Sequence, residues 1–142
     1  MAEIVFRQEA DHGVLTALYR SAGLEIGEGW EMACHPVFSV SARRDEALLG
    51  AATVSRRFDR LVLDYIALLP EVRARGLGRR LTERCVRFAG AAGERSLWIA
   101  ARNPGFFLAV GAEETEDTAL LADCLVCPAR PNCEPKELVI HW

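Results

Sequence analysis

Long hydrophobic runs are missing from this chain: no apolar stretch reaches the ~18 residues that a membrane helix needs. The N-terminus, MAEIVFRQEADHG, has no basic start ahead of an apolar stretch, so it does not read as a secretory signal. Lysine is nearly absent, one residue against 16 arginines, a skew that fits a biased genome. An excess of positive charge is lacking too. The net charge of −3 argues against a dedicated nucleic-acid binder. There are no internal repeats, linkers or low-complexity segments. What remains is 142 residues, enough for one domain (1–142) with one core, read as a cytoplasmic protein.

The charge is unevenly spread. Six arginines fall between Arg73 and Arg87, while acids crowd residues 113–117, EETED. A local basic patch on an acidic chain suits a small anionic ligand better than a long polyanion.

Hydrophobic periodicity orders the chain. EIVFR (3–7) reads as a first strand. Residues 10–22 repeat apolar side chains at helical spacing, with Gly23 as the stop. Residues 24–36 read as a loop with a short helical turn. VFSVSA (37–42) and ALLGAATVSRRF (47–58) read as strands joined by the polar turn RRDE, and LVLDYIALL (61–69) as a strand covered on both faces. From Gly76 to about Ala92, Leu77, Leu81, Cys85, Phe88 and Ala92 form one apolar stripe of a helix. SLWIAA (96–101) is a buried strand. NPGFFLAVG (103–111) is a short helix with Asn103 as N-cap and Pro104 at its first position. A strand near 112–120, a Cys/Pro-rich loop (123–135) and the strand KELVIHW (136–142) close the chain. The sum is a mixed α/β domain of α+β type. Antiparallel hairpins come first, then one strand–helix–strand crossover with its strands parallel.

LPEVRARGLGRRL (69–81) places two glycines among arginines where a strand hands over to a helix. A helix N-terminus offers unpaired N–H groups and about half a positive charge. Gly76 and Gly78 let an anion touch that backbone, and Arg73, Arg75, Arg79 and Arg80 point to a phosphate or diphosphate. The P-loop is excluded, because no Gly-Lys-Ser/Thr is present. The dinucleotide fingerprint is excluded as well, because Leu81 stands where its third glycine belongs.

The motif that is present, Arg73-x-x-Gly76-x-Gly78 after LLPE, resembles the acyl-CoA signature of the GNAT superfamily of acyl-CoA-dependent N-acyltransferases. The block IALLPEVRARGLGRRLTERCVRFA is similar to that family's fourth strand, turn and third helix, and the element order matches over roughly 3–142. The resemblance implies a mostly antiparallel sheet of roughly six or seven strands, flanked by about four helices, with a V-shaped cleft after strand four. It implies acetyl-CoA as co-substrate. Backbone N–H groups from Arg73 to Arg79, through Ala74, Arg75, Gly76, Leu77 and Gly78, would hold the CoA pyrophosphate. The backbone of Ile66, Ala67 and Leu68 would pair with the pantetheine arm like an added strand, and Leu68 N–H would polarise the thioester carbonyl. Asn103 matches a residue that touches the arm. Phe107 takes the place of the family's tyrosine, the phenol that protonates the departing thiolate, and Ala112 replaces a final Phe. A CoA thiol with a pKa near ~8.5, as for Cys, still leaves without that help.

Asp64 is the candidate general base. It stands two residues before Ile66 on one strand, so strict alternation points both to one face and Tyr65 to the other. The competing reading is a structural acid bonded to its surroundings. Trp30 reads as acceptor wall or surface cap, His12 as a first-turn helix residue with no role, Glu46 as a solvated turn residue, and Cys34–His35 as a neighbouring pair that does not indicate a nucleophile. Cys124, Cys127 and Cys133 give Cys-x2-Cys-x5-Cys. That spacing fits zinc ligation with a fourth ligand from His141, Cys34 or His35, a reversible disulfide, or three reduced thiols.

Three functions stand open. The first is an N-acetyltransferase in which a primary amine, small molecule or peptide, attacks acetyl-CoA directly in a ternary complex. The second is an acyl-CoA sensor with a metal- or redox-responsive Cys loop. The third is a nucleotide-phosphate binder of another fold. Neither nucleic acid nor membrane is expected as a partner. The apolar LVIHW strand would expose an edge, so the expected state is monomer or homodimer.

Overall fold

A computed structural model describes residues 3–24, 26, 29–30, 35–57, 59–73, 75–101, 104–115 and 136–142. The elements, in order, are β1 (Val5–Gln8), α1 (His12–Ser21), β2 (Pro36–Arg44), β3 (Ala47–Arg57), β4 (Arg60–Leu68), a 3-10 turn (Pro70–Val72), α2 (Leu77–Ala91), β5 (Ser96–Ala101), α3 (Pro104–Ala109), β6 (Glu113–Glu114) and β7 (Lys136–His141). Asp11 starts α1: its carboxylate accepts from the Val14 N–H at 3.2 Å, satisfying one of the first-turn donors.

The strands form one seven-stranded sheet in the order β1-β2-β3-β4-β5-β7-β6. Every neighbouring pair is antiparallel except β4 and β5, which α2 connects. The mixed, mostly antiparallel architecture read from periodicity is therefore the one that forms. Three α-helices stand among the described residues.

Side-chain alternation gives the sheet two apolar faces. On one, Val40, Ala52, Val54, Leu61, Leu63, Leu97, Ile99 and Leu138 pack under Leu77, Leu81, Cys85 and Ala89 of α2. Ala89 holds the place in the stripe assigned to Ala92, which is the exposed C-cap; Phe88 is half-buried and stacks on Phe38 at 4.4 Å. On the other face, Leu15, Leu18 and Tyr19 of α1 pack with Ile26, Trp30, Ala51 and Ala67. Beneath α1, Tyr19 shares a buried hydrogen bond with Thr53 at 2.7 Å, and Thr53 with Ser39 at 2.9 Å. A buried hydroxyl needs such a partner, and this chain of three fixes α1 over β2 and β3.

The terminal strand is not an edge. β7 lies between β5 and β6, with Glu113 and Glu114 paired to Val139 and Leu138, so among the described residues the sheet ends in β1 and the acidic β6. This corrects the expectation of a free LVIHW edge. No described helix is long and apolar enough to cross a membrane.

One glycine shapes the centre of the sheet. A Cβ on Gly50 would lie 2.6 Å from Leu68 Cδ2 and 2.9 Å from the Ala67 carbonyl oxygen. β3 can therefore approach β4 at this rung only without a side chain.

Candidate functional site

The site begins with a fault in the β3–β4 ladder. Thr53 pairs with Tyr65 and Val54 with Leu63, so Asp64 is an extra residue, a β-bulge. Before it, Leu61 and Leu63 face α2. After it, Ile66 and Leu68 face α2, while Tyr65 and Ala67 join the α1 cluster. The alternation slips by one residue at Asp64. Asp64 therefore shares the α1 face with Tyr65, and Ile66 lies on the opposite face, which corrects the strict-alternation reading. A one-residue bulge leaves no mark in the amino-acid pattern beyond two consecutive residues on one face.

The bulge also marks where β4 and β5 part. Their parallel pairing covers only Val62 with Trp98 and Leu63 with Ile99. Beyond it β4 has no strand partner on that side among the described residues. The Leu69 N–H bonds the Leu49 carbonyl at 2.9 Å, which sets the phase of the ladder. In an antiparallel pair the bonded positions alternate, so Tyr65 and Ala67 aim their N–H and C=O groups at β3. Those of Ile66 and Leu68 aim at the opening left by β5. Of the three residues expected to meet an added strand, Ile66 and Leu68 turn backbone groups outward. Ala67 offers its small side chain.

The opening is a cleft of about 710 Å³. Leu63, Ile66, Leu68 and Ile99 line it from the sheet, Asp64 and Ala67 from the α1 side, Phe106 and Phe107 from α3. Its mouth is the turn into α2. Gly76 is the N-cap in the left-handed conformation, φ 77° and ψ 2°, which glycine adopts without a Cβ penalty. The N–H groups that open α2 at Leu77, Gly78 and Arg79 have no intrahelical acceptor, and the cleft reaches Gly76, Gly78 and Arg79.

The arginines divide their work. Arg75 is exposed beside Gly76. Arg73 gives its own N–H to the Pro70 carbonyl at 3.3 Å, so the row of open N–H groups starts after it. Its Nε lies 3.4 Å from the Leu68 carbonyl. Arg79 donates from Nη2 to the Ala109 carbonyl at 3.1 Å and ties the end of α3 to the start of α2. Arg80 turns away: its guanidinium stacks 4.6 Å from the Phe6 ring centroid, with Arg84 beside it at 5.0 Å. Helical geometry explains this, since Arg80 and Arg84 are one turn apart on the face toward β1. Ala74 and Asn103 lie outside the described residues, as do Cys34, Cys124, Cys127 and Cys133. Among the described residues no cluster of three His, Cys, Asp or Glu side chains could hold a metal.

Phe107 is buried in the cleft wall and meets Phe106 edge-on, ring centroids 5.0 Å apart. Phe106 was not foreseen. Its ring lies against Gly78, where a Cβ would come within 3.0 Å of two ring carbons. Gly78 thus serves packing as well as access. Trp30 is neither surface cap nor open wall: it is buried, donates from Nε1 to Thr16 Oγ1 at 2.7 Å, and packs edge-on against Tyr65 at 5.4 Å. Tyr65 stacks on Tyr19 at 5.2 Å. Asp64 is largely buried, and its Oδ2 stands 3.4 Å from Arg57 Nε. Nothing in the sequence pairs those two residues, since their partnership depends on the bulge.

Comparison with known proteins agrees with this geometry. A family model described as "Acetyltransferase (GNAT) family" matches residues 7–111. An uncharacterized N-acetyltransferase of Chlorobaculum tepidum is 31% identical over 78 residues, 52% of this chain and 50% of the relative. The chain thus spans about half the length of that curated relative. Among solved structures, N-acetylglutamate synthase from Neisseria gonorrhoeae, complexed with coenzyme A and N-acetyl-glutamate, superposes with a TM-score of 0.76 at 18% identity, covering 99% of this chain and 35% of that one. A GNAT family acetyltransferase from Elizabethkingia anophelis with acetyl-CoA bound gives 0.76 at 14% identity, covering 98% of each chain. At these identities the superpositions show a common fold.

Proposed function

Given that the chain belongs to the acetyltransferase (GNAT) family, we propose that it transfers an acetyl group from acetyl-CoA to a primary amine. The observation that carries the proposal is the pair of outward backbone groups on Ile66 and Leu68 leading inward from the glycine turn at Gly76–Arg79. A donor with a diphosphate at one end and an amide-bearing arm at the other fits both. The described residues fit it in three respects: open N–H groups at a helix start, a strand edge that no other described strand covers, and an apolar wall from Phe106 and Phe107. Leu77, Gly78 and Arg79 would hold the diphosphate through their N–H groups, and Ile66 and Leu68 would pair with the arm. The acyl carbonyl lies at the far end of that arm. Leu68 is one candidate to polarise it, and Ile66, the deeper of the two outward N–H groups, is better placed.

The neutral amine nitrogen attacks the thioester carbon. The N–C bond forms, the C–S bond breaks, CoA leaves as a thiolate and the amine proton passes to solvent. Phe107 supplies no proton, so the thiolate departs unaided and takes its proton from water. The Asp64 carboxylate lies in an ion pair with Arg57, 3.4 Å from its Nε, and that positive charge makes it a poor proton acceptor. N-acetylglutamate synthase, with N-acetyl-glutamate bound, supports a small molecule as acceptor. Phe107 favours a second reading, a non-catalytic acyl-CoA sensor on the same cleft.

A thermal melt with acetyl-CoA, and with ATP as control, tests the site. At 100 times its Kd a ligand adds about 2.7 kcal/mol. For this chain length that raises the midpoint by roughly 5–10 °C. No shift with acetyl-CoA, or the same shift with ATP, refutes the donor site. Release of free thiol with a panel of amino acids, polyamines and peptides then separates enzyme from sensor.

A further inference from the structure

The Arg57–Asp64 pair calls for an account that proton transfer does not give. Arg57 pairs in the ladder with Arg60, at the closed end of the β3–β4 hairpin, yet its Nε stands 3.4 Å from Asp64, four residues further along β4. The guanidinium therefore reaches along the α1 face of the sheet to the bulge. Both side chains are mostly covered, 21% and 8% exposed. An extra strand residue has no ladder partner of its own, and its position along the strand is held by what its side chain meets.

The position of this bulge decides the site. Moved by one residue, it would reverse the facing of the residues between its old and new places and shift the backbone groups aimed at the opening. β4 also leaves β5 at this point, because their pairing ends at Leu63, one residue before Asp64.

We propose that Arg57 is a positioning residue for the acyl-CoA donor: through Asp64 it pins the β4 bulge, and so fixes the direction of the Ile66 and Leu68 N–H groups. The proposal rests on the donor reading above and assigns Asp64 to geometry rather than proton transfer. The pin acts on the arm of the donor and leaves the diphosphate turn, built on α2, untouched.

That separation gives the test. Dissociation constants are measured by calorimetry for acetyl-CoA, which has the arm, and for 3′-phosphoadenosine 5′-diphosphate, which lacks it. Arg57→Ala should weaken acetyl-CoA about tenfold, the worth of one or two backbone hydrogen bonds, and the armless ligand less than about twofold. Asp64→Ala should match it, and the double variant should be no worse than either, because both act through one element. Should Arg57→Ala fold poorly, Arg57→Lys, which keeps the charge, carries the test with a smaller loss of the same selectivity. Equal weakening of both ligands, or none, overturns the pin. Additive losses in the double variant overturn it as well. Failure of the native protein to bind acetyl-CoA at all overturns the donor reading instead.

Discussion

Gly50→Ala is the substitution for which the structure gives the sharpest number. The added methyl would sit 2.6 Å from Leu68 Cδ2, 2.9 Å from the Ala67 carbonyl oxygen and 3.4 Å from Leu81 Cδ1. The leucine atoms can move. The carbonyl belongs to the β4 backbone and can retreat only if β3 and β4 separate at the Gly50–Leu68 rung. Overpacking of a well-packed core costs about 1–3 kcal/mol, and a backbone contact places this case near 3. For a chain of this length that lowers the midpoint by roughly 6–12 °C in a thermal melt. Leu68 is the cleft residue on that rung, so the acetyl-CoA shift should shrink in the same experiment. Gly105→Ala is the control. Its Cβ meets nothing within 4 Å, it carries no positive φ, and it lies within α3. Alanine there should stabilise by up to about 1 kcal/mol through helix propensity. A Gly50→Ala midpoint within 2 °C or so of the native protein would refute the reasoning, since that is under 1 kcal/mol.

Two further predictions follow from the sheet's outer half. Asp45 and Glu46 form the β2–β3 turn with φ of 49° and 67°, a two-residue connection with both centres in the left-handed region; replacing them with Asn-Gly should raise stability by about 1 kcal/mol in urea denaturation. Glu9 is held below its ordinary 4.5: burial alone would raise it, but the hydrogen bond and charge of Arg43, with the Asp11 backbone and Ser41, outweigh that. A depressed carboxylate stabilises above its unfolded pKa and loses that contribution as pH falls through the folded one, so urea midpoints should drop as pH falls below about 5 and Glu9→Gln should flatten the drop.

The sequence determined the elements and the glycine turn into α2 by itself. Alternation in VFSVSA and the apolar run LVLDYIALL mark strands because burial of one or both faces selects those residues, and the stripe Leu77–Leu81–Cys85 marks α2 because a helix buries one side. Gly76 was legible as a residue whose missing Cβ leaves the backbone open at a helix start; its left-handed N-cap conformation is a feature of the fold. These are local matters, settled within one turn or one strand. The tertiary structure decided the rest. The bulge at Asp64 arises only when β3 is laid against β4, and it moved Asp64 from the face of Ile66 to that of Tyr65. Arg80 was drawn away from the glycine turn by the Phe6 ring of a strand more than seventy residues away. β7 ceased to be an edge when two glutamates paired with it. Arg57 met Asp64, and Phe106 met Gly78, across contacts that no spacing encodes, because they depend on register between strands and on where a helix docks.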